Sequence, residues 1–259
     1  MEATKEVVKP EGFGATARRD AWWIEPMLVA IGFGLFIVYA TFRVFENNYY
    51  EWGPYLSPFF SPKFMLDLVK MLPPAVIPYV PPAAFILWIP AGFRATCYYY
   101  RKAYYRAYFA DPPGCSVSHF GGDKYCGETS FPFILQNLHR YFFYLATIVL
   151  AFLWYDAIIA FNFDGHFGVG VGSLVLLANV ILLSCYSFGC HAWRHLVGGR
   201  LDCFSCTATS QQSFKFWEGV TKLNEHHMFW AWCSLFSVGF ADFYVRSVAS
   251  GLFTDIRLF

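Results

Sequence analysis

Long stretches without charge are the feature of this sequence that most restricts its fold. The segment Pro26–Phe42 contains no charged side chain, and four later stretches are similarly apolar. A helix needs roughly 20 predominantly apolar residues to cross the ~30 Å hydrocarbon core of a bilayer. Because backbone groups find no water there, a spanning segment must satisfy its hydrogen bonds internally, as a helix does. The sequence therefore predicts an all-α integral membrane protein.

Five segments are long enough to cross a bilayer, and they predict a bundle of five transmembrane helices. The predicted spans are residues 22–45, 82–109, 131–161, 169–196 and 216–248. They form one transmembrane domain, residues 22–250, between an N-terminal segment (1–21) and a C-terminal tail (251–259). Residues 64–72 predict a short amphipathic helix along the membrane interface. Only 14% of the chain is charged, against about 25% in soluble domains, which excludes an ordinary soluble enzyme.

Basic residues predict which way the bundle faces. Of 19 Lys and Arg residues, five belong to one predicted face: Arg43, Lys63, Lys70, Arg246 and Arg257. The other 14 belong to the N-terminal segment or flank the connections after spans two and four. Because cytoplasmic loops carry the excess of basic residues, the N-terminus and both connections are predicted to be cytoplasmic, in a multi-pass protein of the cell (inner) membrane. The 19 basic and 18 acidic residues nearly balance, which argues against a nucleic-acid partner.

Polar residues that could bind metal gather at the predicted cytoplasmic face. In GCHAWRHLVGGRLDCFSC, residues 189–206, His191 and His195 are four residues apart and share one helix face. Cys203 and Cys206 follow as Cys-x-x-Cys, a spacing that can hold iron or zinc. Two further polar pairs open the third and fifth helices at the same level: His139 with Arg140, and His226 with His227. Ionisable residues in membrane helices are costly and tend to mark functional sites.

The residue pattern alone leaves four interpretations of this cluster open. Histidine pairs from different helices could hold one or two b haems. Two cysteines and two histidines could hold a zinc ion that staples a transport or structural membrane protein. Cys203 and Cys206 could form a redox dithiol or a disulfide. Together with His191 and His195 they could instead hold a Rieske-type [2Fe–2S] cluster, although the usual Rieske motif is absent. Three other cysteines lie in apolar stretches and are interpreted as small core residues: Cys97, Cys185 and Cys233.

Several longer motifs resemble the membrane-anchor subunit of one bacterial class of succinate dehydrogenase (complex II). They are GFRATCYYYRKAYYRAYF, GETSFPFILQNLHRYFFYL, FGCHAWRHLVGG with DCFSC, and LNEHHMFWAW with GFADFYVR, within about residues 80–250. The resemblance implies a single five-span anchor that binds a flavoprotein subunit and an iron–sulfur subunit on the cytoplasmic side. It also implies a membrane-embedded Rieske-type [2Fe–2S] cluster in place of haem b, and quinone as the substrate. Whether the complex forms a higher oligomer is left open.

Carried onto this sequence, the resemblance makes residues 191–206, with two histidines from other helices, the candidate redox site. The candidate metal ligands are Cys203, Cys206, His191, His195, His227 and His139, with Cys190 as a reserve thiol. The first four are the preferred set, with both cysteines on one iron and both histidines on the other. A quinone needs hydrogen-bond donors and aromatic walls, which predicts a site at His139, Arg140, His227 and Trp230. No flavin or dinucleotide motif is present, so this subunit does not itself oxidise succinate.

The predicted orientation can be tested with topology reporters. A reporter fused after Phe259 should report an extracytoplasmic position, because five spans put the two ends of the chain on opposite sides. A reporter inserted in the connection of residues 111–128 should report a cytoplasmic position, because its flanks carry many of the basic residues. The reverse pattern would overturn either the span count or the charge argument.

Overall fold

The computed structural model describes residues 12–71, 80–118, 129, 131 and 133–259. The helices are α1 Ile24–Glu46, α2 Lys63–Lys70, α3 Ala84–Ala95, α4 Tyr98–Tyr104, α5 His139–Ile159, α6 Val171–Phe188, α7 His191–Val197, α8 Ala208–Glu225 and α9 His227–Ala249. Two small antiparallel hairpins join helices: β1 Glu51–Trp52 with β2 Tyr55–Leu56, and β3 Asn162–Phe163 with β4 His166–Phe167. A π-helical turn, Tyr105–Phe109, extends α4, and a 3-10 helix, Phe133–Leu138, precedes α5.

Four helices among the described residues are long and apolar enough to cross a membrane. They are α1, α6, α9, and α5 together with most of the 3-10 helix before it, Ile134–Ile159. The apolar helix α3 has only 12 residues. The prediction of a helical membrane protein is confirmed, whereas the five-span count stays a prediction. The amphipathic segment predicted at 64–72 forms α2, with its last residue outside the described part of the chain.

One end of the bundle, here called the histidine level, brings four helix ends together. The end of α3 meets the start of α5, because Phe93 stacks on His139 with 4.9 Å between ring centroids. The end of α6 meets the start of α9, because Tyr186 stacks on His227 at 5.0 Å. Phe93 and Tyr186 are themselves 5.3 Å apart, so the two pairs form one aromatic cluster.

The opposite end, here called the carboxylate level, brings the other helix ends together. Arg246 near the end of α9 pairs with Glu46 at the end of α1 at 3.1 Å. Ser61, before α2, donates a hydrogen bond to Asp156 near the end of α5. The start of α3 packs with the end of α1 through Ile86 and other apolar residues of one buried cluster. The segments α1, α3–α4, α5, α6 and α9 therefore alternate in direction between the two levels.

The N-terminal segment contacts the connection that follows α4. Thr16 donates to the carbonyl of Ser116 at 2.7 Å, and Arg18 donates to the carbonyl of Cys115 at 3.0 Å. Arg18 also hydrogen-bonds Asp20, which holds the pKa of that exposed carboxyl below its usual value. The contacts place these two basic regions at the same end of the bundle, as the charge pattern predicts. The later part of the connection, residues 119–128, lies outside the described residues.

Three predicted spans are not continuous helices, and their breaks lie at the histidine level. The span predicted at 82–109 is interrupted at Cys97, whose extended backbone (φ −71°, ψ 132°) separates α3 from α4. The span predicted at 169–196 breaks at Gly189 and at Cys190 (φ −72°, ψ 146°). A Cβ on Gly189 would lie 2.7 Å from the carbonyl oxygen of Cys185, so glycine permits this close turn. The span predicted at 216–248 divides into α8 and α9 at His226.

A buried ion pair within α9 is connected to α1 by further hydrogen bonds at the carboxylate level. Asp242 is 0% exposed and Arg246 3% exposed. The Nε of Arg246 donates to both carboxylate oxygens of Asp242, at 3.0 and 2.9 Å. Tyr39 of α1 also donates to Asp242, at 2.7 Å, and so does Ser57 of the intervening loop. A buried charge is tolerated when it is paired and fully hydrogen-bonded, and this network meets both conditions.

The C-terminal tail is fixed to the same level by Asp255. Its carboxylate accepts hydrogen bonds from Tyr55 and Tyr244, each at 2.6 Å, and from the backbone of Gly172 at 3.0 Å. Burial, together with this carboxylate, raises the pKa of Tyr55 to about 12. Residues 251–259 therefore pack as part of the domain rather than trailing from it.

The buried pair predicts that removing one of its two charges strongly lowers the stability of the folded protein. Arg246→Met should destabilise the protein by about 3–5 kcal/mol, because it leaves Asp242 buried without its cation. The thermal midpoint of the purified protein should fall accordingly. Lys63→Met is the control, since Lys63 and Glu51 form an exposed pair that contributes about 1 kcal/mol or less. Equal midpoints for the two variants would contradict a stabilising role for the buried pair.

Candidate functional site

His139 is held at the first turn of α5 by contacts on both ring nitrogens. Its ring lies nearly parallel to that of Phe93, with an interplanar angle of 9°. The Nδ1 atom is 2.9 Å from the hydroxyl of Thr96, and Nε2 is 3.1 Å from the sulfur of Cys190. These contacts direct the imidazole towards the breaks at the ends of α3 and α6.

His227 opens α9 and is only 1% exposed. Its ring lies against Tyr186, at 5.0 Å, and Tyr99, at 5.2 Å. The Nε2 atom is 3.8 Å from the sulfur of Cys97. The Nδ1 atom is buried and has no hydrogen-bond partner among the described residues. An unpaired buried polar atom is unusual and requires an explanation.

Cys97 and Cys190 both come from helix breaks, and both are buried, at 2% and 1% exposed. Together with His139 and His227 they border a cavity of about 270 Å³. The four side chains come from four separate places in the chain: the α3–α4 break, the start of α5, the α6–α7 break and the start of α9. We call this arrangement the inner cluster.

A larger cleft of about 720 Å³ adjoins the inner cluster. His139 and His191 border both cavities, so the two are neighbours. Arg140, His195 and Trp217 line the outer part. The guanidinium of Arg140 lies 3.5 Å from Nδ1 of His195. Because arginine can only donate, Nδ1 of His195 is the acceptor in this contact.

Arg194 adds a second fixed positive charge to the outer cleft. Its guanidinium lies over the ring of Trp217, with 4.2 Å between the Cζ atom and the ring centroid. Its Nε donates to Thr221 of α8 at 3.0 Å. Both contacts tie α7 to α8 and hold the indole in place as a wall of the cleft.

The predicted ligand set Cys203, Cys206, His191 and His195 is not brought together. Cys203 and Cys206 are joined to each other by a disulfide in the loop before α8. Within the described residues, no group of three or more His, Cys, Asp or Glu side chains is arranged to hold one metal ion. The structure instead places the reserve candidates His139, His227 and Cys190 around one cavity with Cys97.

Three of the four residues predicted for quinone line the two cavities, and Trp230 lines neither. His139 and Arg140 line the outer cleft, whereas His227 borders only the inner one. Trp230 packs beside Phe229 at 5.0 Å, and its indole nitrogen is buried without a partner among the described residues. Sequence reasoning missed Trp217 as the aromatic wall, because it lies in the polar helix α8.

Residues 24–251 match the family described as actinobacterial succinate dehydrogenase subunit SdhC. The chain belongs to this family. It is similar to a chain of the Mycobacterium smegmatis Sdh1 complex in the apo form, with 41% sequence identity, 94% of each chain covered and a TM-score of 0.83. No curated protein sequence matches it.

Membership of the SdhC family confirms the predicted resemblance. The protein is the membrane-anchor, non-flavin subunit of a succinate dehydrogenase, which is a quinone oxidoreductase of the cell membrane. Its partners are the flavoprotein and iron–sulfur subunits of that enzyme. The alternative identity, a transport or structural membrane protein outside this enzyme, is therefore wrong.

Proposed function

We propose that this SdhC subunit carries electrons from the iron–sulfur subunit to quinone through a Rieske-type [2Fe–2S] cluster. The proposed ligands are Cys97, Cys190, His139 and His227. The observation that carries the proposal is the inner cluster itself. Its two thiols and two imidazoles come from four separate segments and border one cavity, and both thiols and His227 are buried.

The donor set fits this group. A Rieske centre takes two cysteines and two histidines, and the inner cluster offers that number of each. Each imidazole already lies beside a thiol, with separations of 3.1 Å for His139 and Cys190 and 3.8 Å for His227 and Cys97. A thiol is a weak hydrogen-bond partner, so the contact with Cys97 alone satisfies the buried ring of His227 poorly.

The same donor set could hold a single zinc ion, but the spacing favours a two-iron cluster. Zinc in a structural site collects all four ligands around one atom. No three of the candidate side chains in the described structure are arranged to do so. A cluster with two irons needs only two protein ligands on each metal, which is compatible with ligands spread around a cavity.

The close packing of the histidines disfavours a b haem at this site. A haem held by His139 and His227 would have to lie between the two imidazoles. Nε2 of His139 is instead in contact with the sulfur of Cys190, and Nε2 of His227 faces the sulfur of Cys97. The faces of the two rings are covered by Phe93 and Tyr186.

The chain's own residues supply position and exclusion of water. When bound, the cluster would supply a one-electron carrier between the partner subunit and quinone. The aromatic stacks fix the planes of both imidazoles, and Thr96 anchors the Nδ1 side of His139. Such anchoring of the second nitrogen is the usual way in which a ligating histidine is oriented. Burial of both thiols keeps solvent away from the ligand atoms.

We further propose that quinone binds in the outer cleft, beside the inner cluster. The cleft volume of about 720 Å³ lies within the range of small-molecule sites. Arg140 and His195 can donate to a quinone carbonyl, and Trp217 provides an aromatic wall. Because His139 and His191 border both cavities, the quinone ring would lie next to the proposed ligands.

Two pairs of cysteines in one chain give a matched test of the metal site. Cys97→Ser with Cys190→Ser should remove the iron and acid-labile sulfide of one [2Fe–2S] cluster from the purified complex. Quinone reduction should be lost, while succinate oxidation by a soluble acceptor continues, because the flavin lies in another subunit. Cys203→Ser with Cys206→Ser should change none of these quantities. All values are normalised to flavin content.

Three results of this test would count against the proposal. Unchanged iron and sulfide in the first variant would reject the inner cluster as the metal site. A loss in the second variant would restore the ligand set predicted from the sequence. A reduced-haem absorption band in the purified complex would support the b-haem alternative.

The quinone site predicts a selective effect of Arg140→Gln. The KM for quinone should rise by about tenfold or more, because a hydrogen bond from a charged donor contributes about 1.5–3 kcal/mol. Succinate oxidation by a soluble acceptor should not change. Arg257→Gln, which removes an arginine at the carboxylate level, is the control for charge. An unchanged KM in Arg140→Gln would place the quinone elsewhere.

A further inference from the structure

Arg94 is a cation at the histidine level that has no role in the electron transfer proposed above. It lies in the last turn of α3, three residues before Cys97. Its guanidinium donates to the backbone carbonyl of Ala231 at 3.1 Å, to Ser234 at 3.0 Å and to the hydroxyl of Tyr100. All three partners are uncharged, and none of the described acidic side chains forms an ion pair with Arg94.

One aromatic ring separates this charge from the inner cluster. The Cζ atom of Arg94 lies 4.7 Å from the ring centroid of Tyr186. The same ring stacks on His227 at 5.0 Å. Arg246, at the other end of the bundle, differs from Arg94 because its charge is neutralised by Asp242 and Glu46. The positive charge of Arg94 therefore acts on the inner cluster without an ion-paired carboxylate, among the described residues, to offset it.

We infer that Arg94 raises the reduction potential of the redox group held by the inner cluster. This inference rests on the proposed function. Reduction adds one electron, supplied by the iron–sulfur subunit, and with it one negative charge at the ligand site. A fixed cation nearby stabilises that charge, and the interaction is stronger in a poorly solvated interior than in water. Arg94 thus favours acceptance of the electron while touching neither quinone nor a proposed ligand.

The inference is tested by potentiometric EPR titration of the intact three-subunit complex. The signal of the membrane cluster is the one lost in Cys97→Ser, which separates it from the clusters of the partner. Arg94→Gln should lower its midpoint by about 59 mV, a tenfold change in a one-electron equilibrium. Arg94→Lys should retain most of the potential because it retains the charge. Arg257→Gln should leave the midpoint unchanged, since Arg257 also lies over an aromatic ring, Phe163, but at the opposite end.

A second variant keeps the test decisive if Arg94→Gln fails to assemble. Ser234→Asp places a carboxylate at the atom that now accepts from Arg94, so it should neutralise the charge and lower the midpoint in the same direction. An unchanged midpoint in Ser234→Asp or Arg94→Gln would overturn the inference. Loss of the signal in Arg94→Gln and Arg94→Lys alike would also overturn it, by showing a structural role. Absence of any such signal in the wild-type complex would instead reject the proposed function.

Discussion

The structure depends on how a bundle of apolar helices accommodates polar groups that water cannot reach. At the carboxylate level the solution is complete: Asp242 and Arg246 are buried, paired and surrounded by further hydrogen-bond partners. At the histidine level the pairing is incomplete among the described residues, because Nδ1 of His227 has no hydrogen-bond partner there and Nε2 faces the thiol of Cys97. The first arrangement stabilises the fold, and the second provides a buried imidazole with an unsatisfied nitrogen, which suits the proposed role of His227 as a metal ligand.

Interrupted helices explain how the histidine level can hold such a site. A continuous helix occupies its backbone hydrogen bonds and spreads its side chains around the axis. At Cys97 and Cys190 the backbone is extended, and each thiol points into the space between helices rather than along one face. Non-helical backbone in a bundle of membrane helices is tolerated where protein covers it, and both cysteines are buried. The breaks thus create the cavity and supply half of its proposed ligands.

Sequence patterns predicted the fold more fully than the site. The uncharged stretches gave the positions of α1, α5, α6 and α9, because membrane crossing imposes a length and a composition that can be read locally. The same patterns predicted α3 with α4, and α8 with α9, as single spans. Hydropathy does not detect a change of backbone direction at one residue. The resemblance correctly indicated the family, but not which candidates converge.

The choice of cysteines shows why the site could not be derived from spacing. Cys203 and Cys206 form a familiar Cys-x-x-Cys motif, which made them the preferred ligands, yet they bond to each other in an exposed loop. Cys97 resembled a core residue because its neighbours are apolar, and its partners come from segments more than forty residues away. Contacts between helices, not local motifs, bring these four side chains together. A signal was present at Gly189, where a small residue precedes Cys190, but its meaning depends on the packing of α6 against α9.

The two cavities adjoin, so the proposed metal site and the proposed quinone site lie side by side. His139 touches Cys190 on the inner side and borders the outer cleft on the other, so one residue belongs to both proposed sites. The proposed electron transfer between the two neighbouring sites would then require no movement of the bundle. Arg140 follows His139 directly in α5, which couples the position of a proposed quinone donor to that of a proposed metal ligand. A change in the start of α5 would therefore disturb both sites at once, whereas a change at His195 would disturb only the outer one.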